Sequence, residues 1–543
     1  MISTLRLAIL LVILGIRLNG YAQVDFTHSN LPIILINTNG QEIQDEPKIT
    51  ADMKVIYNGV GQENYLTDTV FHYNGKIGIE LRGSSSQMFP KKPYGFETRK
   101  EDGDELDVKL LDMPKESDWT LNATYNDKTL MRDGLTYILA GSFMDYAPRV
   151  RYAELMVNGE YQGIYLVVEK IKRDKNRVNI PKISPADSTG DAITGGYILK
   201  IDKFTGSNSG EGWNSPYPPY PGAWQSTFFQ YEYPKAEDIT TAQKNYIKGH
   251  ITQIEDILNS DTYQDTATGY RKYIDTKSLI DFIIVNELSK NPDAYRLSTF
   301  FYKERDSDGG KIKFGPVWDF NLGLGNVDYC TNGDPNGLVI DEFNKVCPDD
   351  GWVIHFWWQR FLQDSSFYHD LKLRWHDLRQ AQLSDSKIFG LVDSLATLVD
   401  QAKDRNFEQW PVLGQYVWPN YYVGNTYGEE INFLQGWLTQ RLAYLDSVWR
   451  IETTSKFNQP FVRDNDLLIF PNPVKDWATI DLRGLIPAAT LQVSDLKGNL
   501  LQIPVINAGE GKFDLDFSGY PTGVYFIRAI VQDKVKICRV VKL

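Results

Sequence analysis

The stretch Leu279-Ile-Asp-Phe-Ile-Ile-Val-Asn-Glu-Leu288, followed by Asn291-Pro-Asp293, lies where this chain of 543 residues has changed from strand patterns to helix patterns. Its apolar positions and Ser278, whose hydroxyl can cap free N–H groups, predict a helix that begins at this serine. From Tyr270 onward the periodicity is helical, whereas earlier segments alternate as strands do. The sequence therefore predicts an α+β fold with a β-rich lobe first and a helical lobe second.

Strand patterns dominate the part of the chain before Tyr270. The pair Asn158-Gly159 between two apolar runs fits a tight hairpin turn. One segment, Asp127 to about Phe143, has a helical pattern instead. The predicted strands are Leu31–Asn37, Met53–Tyr57, Gly75–Leu81, Tyr152–Val157 and Gly163–Glu169. The mature protein is thus expected to open as β structure.

The two ends of the chain carry separate modules. Met1 to Ala22 has a basic residue, an apolar run Leu7–Ile16 and the small-residue site Gly20-Tyr21-Ala22, which predict a cleaved signal peptide. That run is shorter than the roughly 20 residues of a membrane anchor, and no later segment is long and apolar enough to span a bilayer. We therefore expect 1–22 to be a signal peptide, 23–75 an N-terminal β segment, 76–450 the main domain, 451–466 a linker and 467–543 a small β-sandwich.

Charge and cysteine content narrow the class of protein. The net charge of −13 argues against nucleic acid as a partner. Cys330 and Cys347 flank a loop rich in Gly, Asp, Pro and Asn, where a disulfide can form in an oxidising compartment. A zinc site is not expected, because only His355 lies near and no Cys-x-x-Cys pair exists. Cys538 is expected to be a buried small hydrophobe.

Two acidic residues carry the main chemical signal. Asp293 in Asn291-Pro-Asp293 and Asp319 in Gly315-Pro-Val-Trp-Asp319-Phe-Asn321 each follow or end an apolar run. Phosphoryl transfer needs one carboxylate to orient a hydroxyl and another to hold the metal on the phosphates. Two capping or turn aspartates are the structural alternative.

A small-residue loop adds a second signal. Ile77-Gly-Ile-Glu-Leu-Arg82-Gly83-Ser-Ser-Ser86 is a strand that enters such a loop, and Lys91-Lys92 begins the next strand. Backbone N–H groups and serine hydroxyls can wrap anionic oxygens, while Arg82 and a strand lysine supply positive charge. An ordinary Gly/Ser turn beside exposed lysines is the alternative.

Three further features are ambiguous from sequence. Glu169 ends an apolar strand of the kind that leads to an interlobe hinge, and a surface charge is the alternative. Arg132 either forms a structural pair or faces a nucleotide. The aromatic loop Gly206–Trp224 either packs on its own domain or binds a substrate or sugar by stacking.

The region from about Leu31 to Arg450 resembles the CotH family, the spore coat protein H kinases. The stretches that carry the resemblance are Arg82–Ser86 with Lys91-Lys92-Pro-Tyr94, Asn122–Arg132, Val157–Glu169, Thr194–Lys200 with Asp202, Asn286-Glu-Leu288 and Gly315–Asp319. The resemblance implies an atypical protein kinase fold, ATP with Mg²⁺ or Mn²⁺, and phosphorylation of Ser or Thr in secreted or surface proteins.

The resemblance also implies roles for individual residues. Asp293 would orient the attacking hydroxyl, and Lys92 or Lys91 would hold phosphate. The predicted nucleotide-binding residues are Arg82, Gly83, Ser84, Ser85, Lys91, Arg132 and Glu169, and the predicted metal-binding residues are Asp319, Asn321 and Ser298. Kinases of this type place an asparagine where this chain has Ser298, a poorer magnesium ligand, which Asn321 could offset. A pseudokinase-like binding or scaffold protein is therefore the main alternative, and a glycoside hydrolase is a third.

The last 75 or so residues resemble the type A sorting domain of Bacteroidetes type IX secretion cargo. The matching segments, in order, are Phe470-Pro-Asn-Pro473, Val493–Asn499, Asp516–Tyr525 and the basic end Lys536–Lys542. This resemblance implies passage through the periplasm and outer membrane by the type IX machinery. We expect the protein to be attached to the cell surface or released.

Overall fold

The computed structural model describes residues 24–203, 211–331, 333–451, 468–481, 490–496, 498–509, 512–531 and 534–543. The predicted signal peptide, the polar segment 452–466 and residues 206–210 of the aromatic loop lie outside the described residues. Contacts divide the chain into two compact units, residues 1–451 and residues 452–543.

Seven strands of the first unit close into a barrel. They are β2 (Ile33–Asn37), β3 (Ile49–Ile56), β5 (Tyr73–Leu81), β6 (Tyr94–Arg99), β7 (Asp118–Ala123), β8 (Val150–Val157) and β9 (Glu160–Glu169), and the short strands β1 (His28–Ser29) and β4 (Asn64–Tyr65) pair beside them. The order around the barrel is β2-β3-β5-β6-β7-β9-β8. Neighbours are antiparallel except β2 and β8, whose parallel pairing closes the barrel.

Alternation along the strands fills the barrel interior. Strand β3 buries Ala51, Met53 and Val55 in the barrel core, while the intervening Lys54 is exposed. Strand β9 is buried on both faces, because Tyr165 belongs to the barrel core and its neighbours pack against the helical core instead. This double burial explains why the segment that follows Gly163 is apolar at almost every position.

A second sheet of the first unit has the order β11-β12-β10-β13-β14. Its strands are β10 (Tyr197–Ile201), β11 (Gly212–Asn214), β12 (Phe228–Tyr233), β13 (Thr299–Lys303) and β14 (Ile312–Phe314). The α-helices of the described chain are α1 (Arg132–Gly141), α2 (Thr241–Asn259), α3 (Thr276–Ser289), α4 (Val339–Val346), α5 (Phe356–Gln363), α6 (Ser365–Arg379), α7 (Asp385–Gln409) and α8 (Tyr427–Val448). The predicted α+β class is confirmed.

Two predicted helix starts were wrong. Helix α3 is capped by Asp275, whose carboxylate accepts from the Ser278 N–H at 2.8 Å, so Ser278 already lies in the first turn. Helix α1 begins at Arg132 rather than Asp127, because the Asp127 carboxylate accepts from the Arg132 N–H at 2.8 Å and closes a turn ahead of the helix.

The second unit contains two four-stranded sheets, with orders β15-β16-β20-β19 and β18-β17-β21-β22. The strands are β15 (Leu468–Phe470), β16 (Trp477–Asp481), β17 (Thr490–Asp495), β18 (Leu500–Leu501), β19 (Val505–Gly509), β20 (Lys512–Asp516), β21 (Gly523–Val531) and β22 (Lys534–Lys542). Ile480 and Leu515 of the first sheet share one core with Val493 and Ile527 of the second. Two sheets around a common core match the small β-sandwich predicted from the turn pattern.

The structure also settles several smaller predictions. Cys330 and Cys347 form a disulfide with a Cα–Cα distance of 5.8 Å. Cys538 is a free thiol that is half-buried, not fully buried as the sequence predicted. Most described aromatic residues of the loop pack: Trp213 is buried in the core, and the Tyr217 hydroxyl donates to Asp256 at 2.6 Å. Trp224 is the exception at 72% exposure. Within the described ranges, no helix has both the length and the apolar character needed to cross a membrane.

Candidate active site

A cleft of about 550 Å³ lies between barrel strands and the second sheet of the first unit. Eight of the predicted site residues line it, namely Arg82, Gly83, Ser84, Ser85, Asp293, Ser298, Asp319 and Asn321. Four others, Lys91, Lys92, Arg132 and Glu169, are not among its lining residues. The structure therefore brings the serine loop and the two acidic segments to one cavity.

The pairing of β13 with β14 explains why Asp293 and Asp319 meet. The two strands form an antiparallel hairpin in which Phe301 pairs with Phe314. Asp293 precedes the first strand and Asp319 follows the second, so both loops leave the sheet at the same end. Residues far apart in sequence thus reach the same cavity through ordinary strand pairing.

Strand β10 brings a third carboxylate to this end of the sheet. Its last residue, Ile201, pairs with Thr299 of β13, so Asp202 lies beside Ser298 and also lines the cleft. The Ser298 backbone N–H donates to the Asp202 carboxylate. Burial nevertheless raises the pKa of Asp202, and the nearby charge of Asp293 adds to that rise.

The backbone of Asp319 is held firmly. Its N–H donates to the Tyr137 hydroxyl at 3.0 Å, and its carbonyl accepts from the Asn291 amide at 3.0 Å. Its φ of 65° lies in the left-handed region, where a residue other than glycine is strained and needs such support. Burial, with repulsion from Asp133 and Asp293, raises the pKa of the Asp319 carboxyl to about 7.

Asp133 is a cleft residue that sequence reasoning missed. It lies in the first turn of α1, and its carboxylate accepts from the Phe320 N–H at 2.7 Å and from the Asn122 amide at 3.2 Å. Burial raises its pKa to about 6 despite those bonds. Its only signal in the sequence was its position next to Arg132. The sequence does not show which face of α1 meets the cleft.

Among the described residues, the carboxylate of Asp293 pairs with one cationic side chain. Arg296, three residues later on the same loop, donates from Nη2 to Asp293 Oδ1 at 2.8 Å. The Asp293 N–H donates to the Asn291 side-chain oxygen at 3.2 Å. These contacts fix the orientation of a carboxylate that is 14% exposed to the cleft.

Positively charged side chains also line the cleft, and the charge of Arg82 acts on Asp319. The Arg82 guanidinium lies over the Trp318 ring at 5.2 Å, and its Nη1 has no hydrogen-bond partner within the described chain. Lys200 pairs with Glu232 at 3.1 Å. Although burial opposes it, this pairing and Lys235 hold the pKa of Glu232 down at about 2.

Lysines contributed by other elements complete this side, and sequence reasoning missed them. Lys48, Lys170, Lys200 and Lys203 all line the cleft. Lys170 directly follows β9 and lies 3.9 Å from Asp118, and burial lowers its pKa. Only Lys170 directly follows a strand predicted from the sequence, and a lysine in that position does not distinguish a cleft from an exposed edge.

The serine loop, residues 82–86, follows β5, and hydrogen bonds from neighbouring side chains stabilise it. Gly83 has a φ of 88°, a left-handed conformation that favours glycine over residues with a Cβ. The Gln87 amide donates to the Gly83 carbonyl at 2.7 Å, and the Lys92 ammonium donates to the Gln87 carbonyl at 2.6 Å. Lys92 therefore holds the loop rather than lining the cavity.

The family model described as CotH kinase protein matches residues 79–445, more than half of the chain. The chain belongs to the CotH kinase protein family. The match includes every residue that we have placed in the cleft except Lys48. The resemblance inferred from the motifs is confirmed.

Three predicted nucleotide-binding residues of this CotH kinase protein make other contacts. The Lys91 ammonium is buried and donates to the Ile164 carbonyl at 2.6 Å and to the Asn406 side chain at 2.9 Å. Arg132 pairs with Asp127 at 2.6 Å. Glu169 accepts from the Arg149 guanidinium at 2.9 Å. Each of these contacts joins elements of the fold, and none of the three side chains reaches the cleft.

The donor set of the cleft suits a hard divalent cation that arrives with phosphate. Carboxylate and amide oxygens of Asp319 and Asn321 are the kind of ligand that Mg²⁺ and Mn²⁺ prefer. The described residues form no group of three or more side chains that could hold a metal ion by themselves. Magnesium bound to nucleotides commonly uses only one or two carboxylates, with phosphate oxygens and water as its other ligands.

The C-terminal region matches a second family model. The Secretion system C-terminal sorting domain covers residues 468–542, which confirms the second resemblance. This CotH kinase protein is therefore a type IX secretion cargo destined for the cell surface or the exterior. No curated protein matches the chain significantly.

Proposed function

We propose that this protein is an exported protein kinase that transfers the γ-phosphate of ATP to Ser or Thr residues of secreted or surface proteins, with a divalent metal. In this proposal the barrel is the N-terminal lobe and the helical part is the C-terminal lobe of an atypical kinase fold. The observation that carries it is the single cleft that gathers the serine loop, Arg82 and the aspartates 293 and 319.

The basic side of the cleft would hold the phosphates. The Arg82 Nη1 atom has no partner among the described residues, and the flanking loop offers serine hydroxyls and backbone N–H groups. Lys170, directly after β9, and Lys200, on β10, add positive charge. Bound ATP would supply the phosphoryl group, and its metal would neutralise charge on the phosphate oxygens.

The acidic side would hold the cation and orient the acceptor. Asp319 has nearby carboxylates that raise its pKa, so a divalent cation there would relieve their repulsion. Asn321 follows on the same segment, and Ser298 faces the cleft from the opposite loop. Asp293 would accept a hydrogen bond from the attacking hydroxyl and take its proton.

Two variants separate metal binding from transfer. Asp319→Ala should abolish the increase in melting temperature caused by ATP with Mg²⁺ or Mn²⁺, which corresponds to about 2.7 kcal/mol at roughly 100 times the dissociation constant. Asp293→Ala should keep that increase but lower the rate of phosphate transfer by about 100-fold or more, because a positioned base contributes at least that much.

Asp308→Ala is the matched control, since this exposed aspartate lies in a turn away from the cleft. It should leave both measurements unchanged. Phosphate incorporation from labelled ATP into the protein itself and into secreted proteins measures transfer. If wild-type protein shows no metal-dependent stabilisation and no incorporation, the proposal is wrong.

A pseudokinase-like scaffold is the second candidate, favoured by two observations in the cleft. Ser298 occupies the position where related kinases carry an asparagine, and Arg296 partly neutralises Asp293. A scaffold predicts stabilisation by ATP without any transfer, and Asp293→Ala would then behave like wild type in every assay.

A further inference from the structure

Arg296 is only 3% exposed and is not among the residues that line the cleft. Its guanidinium donates to Asp293 Oδ1 at 2.8 Å, to Asp350 Oδ1 at 3.1 Å and to the Trp352 carbonyl at 2.9 Å. Its Nε donates to the Pro292 carbonyl at 2.8 Å. A buried arginine with this many fixed acceptors has one orientation. Its hydrogen bond to Asp293 therefore fixes the orientation of that carboxylate.

The partners of Arg296 on its far side come from one segment. Phe343 of α4 lies under the guanidinium at 4.2 Å, and Asp350 and Trp352 follow the same helix. We call Arg296 with Phe343, Asp350 and the Trp352 carbonyl the arginine clamp. The clamp connects the loop of Asp293 to a part of the chain more than 40 residues away in sequence.

The Cys330–Cys347 disulfide closes the loop that contains α4. Cys347 is the C-cap residue of this helix, and its carbonyl accepts from the Asp350 N–H at 3.2 Å. At the other end of the loop, Tyr329 precedes Cys330, and the charges of Asp293 and Arg296 both act on its hydroxyl. The disulfide therefore joins two points that flank the clamp.

We propose that Arg296 is a positioning residue for Asp293 and that the Cys330–Cys347 disulfide keeps the arginine clamp closed, so that full phosphotransfer requires the oxidised protein. The inference rests on the proposed kinase function. Closure removes two protons and two electrons from the two thiols, and a protein disulfide or oxidised glutathione accepts the electrons. The export route of the protein leads into compartments where such oxidants act.

Opening the disulfide should lower the rate of phosphotransfer only in part. The Gln225 amide also holds this segment, because it donates to the carbonyls of Pro348 and Asp350 at 2.7 and 2.8 Å. Reduction should therefore loosen the clamp without unfolding the unit. Both cysteines are half-buried, which leaves them within reach of thiol reagents.

The first test replaces the arginine with a conservative residue. Arg296→Lys keeps a positive charge but loses the planar fork, so kcat should fall roughly tenfold while the KM for ATP changes little. Arg379→Lys is the matched control, because this arginine pairs with Asp446 outside the cleft. An unchanged kcat in Arg296→Lys would overturn the positioning role.

The second test compares oxidised and reduced protein in a Cys538→Ser background, which removes the free thiol. Reduction, or the double variant Cys330→Ser with Cys347→Ser, should lower kcat by roughly fivefold and speed amide hydrogen exchange in residues 291–298. Reoxidation of the reduced protein should restore both values. Exchange in these residues that does not respond to reduction would overturn the role of the disulfide.

The two readouts keep this inference apart from the proposed function. If no form of the protein transfers phosphate, the kinase proposal fails. The exchange measurement then still decides whether the disulfide holds the loop of Asp293. If transfer occurs at the same rate in oxidised and reduced protein, the kinase proposal stands and the disulfide inference is wrong.

Discussion

At the residue scale, His250 shows how burial sets a pH dependence. It lies on α2 between the rings of Tyr246 and Tyr273, and its buried Nε2 atom has no hydrogen-bond partner among the described residues. Burial, with the charge of Lys303, lowers its pKa from 6.5 to about 4. His250 therefore becomes protonated below about pH 6.5 in the unfolded chain but only below about pH 4 in the folded chain.

This difference predicts that His250 reduces the stability of the fold as the pH falls from 6.5 to about 4. His250→Gln should lose less free energy of unfolding than wild type between pH 7 and pH 5, by about 1–2 kcal/mol. Urea unfolding at the two pH values measures the change. His369→Gln, at an exposed site, is the control and should follow wild type. Equal losses in the His250 variant and wild type would contradict the prediction.

At the element scale, the cap of α3 links helix stability to the site. The Asp275 carboxylate accepts from the third N–H of the helix, and the helix ends at Ser289, just before the loop of Asp293. The Ser278 hydroxyl accepts from the Phe314 N–H at 3.1 Å, so the same turn also contacts β14. The start of α3 therefore supports the hairpin that carries Asp319.

Asp275→Ala should lower the free energy of unfolding by about 1 kcal/mol, because the first turn loses its acceptor. Ser384→Ala is the matched control, since Ser384 is the N-cap residue of α7 but makes no capping hydrogen bond with its side chain. This variant should cost only about a few tenths of a kcal/mol, because no capping hydrogen bond is lost. Urea midpoints compare the two, and equal shifts would show that the Asp275 cap contributes nothing.

At the scale of the whole molecule, the two units have separate cores. The described residues of the second unit form a core of their own. The matched sorting domain, residues 468–542, lies entirely within this unit. Removal of residues 452–543 should therefore leave the melting temperature of the first unit within about 2 °C of its value in the full chain. Thermal unfolding followed by tryptophan fluorescence checks this.

The same truncation should stop passage through the outer membrane. In a host with a type IX system, the truncated protein should remain in the periplasmic fraction, whereas the full chain should reach the surface or the medium. Point substitution of Asp319→Ala in the full chain is the control, because it changes the cleft and not the sorting domain. Secretion of the truncated form would contradict the assignment.

The local sequence was enough for features that depend on neighbouring residues. Strand alternation, the turn residues of the C-terminal sandwich and the motifs around Gly83 and Asp319 led to the α+β class and to both families. They also selected Asp293 and Asp319, because each stands at the end of an apolar run. These features can be recognised from the sequence because they depend on backbone periodicity and turn chemistry.

Tertiary structure decided which charged residues face the cleft. Lys91 and Lys170 are both lysines beside barrel strands, yet the first points into the fold, where Asn406 holds it, and the second lines the cavity. The same holds for Arg132 and Asp133, adjacent on α1 but facing different partners. The Asn406 side chain that holds Lys91 lies 315 residues away, and the Phe320 N–H that binds Asp133 lies 187 residues away. No local pattern records contacts over such separations.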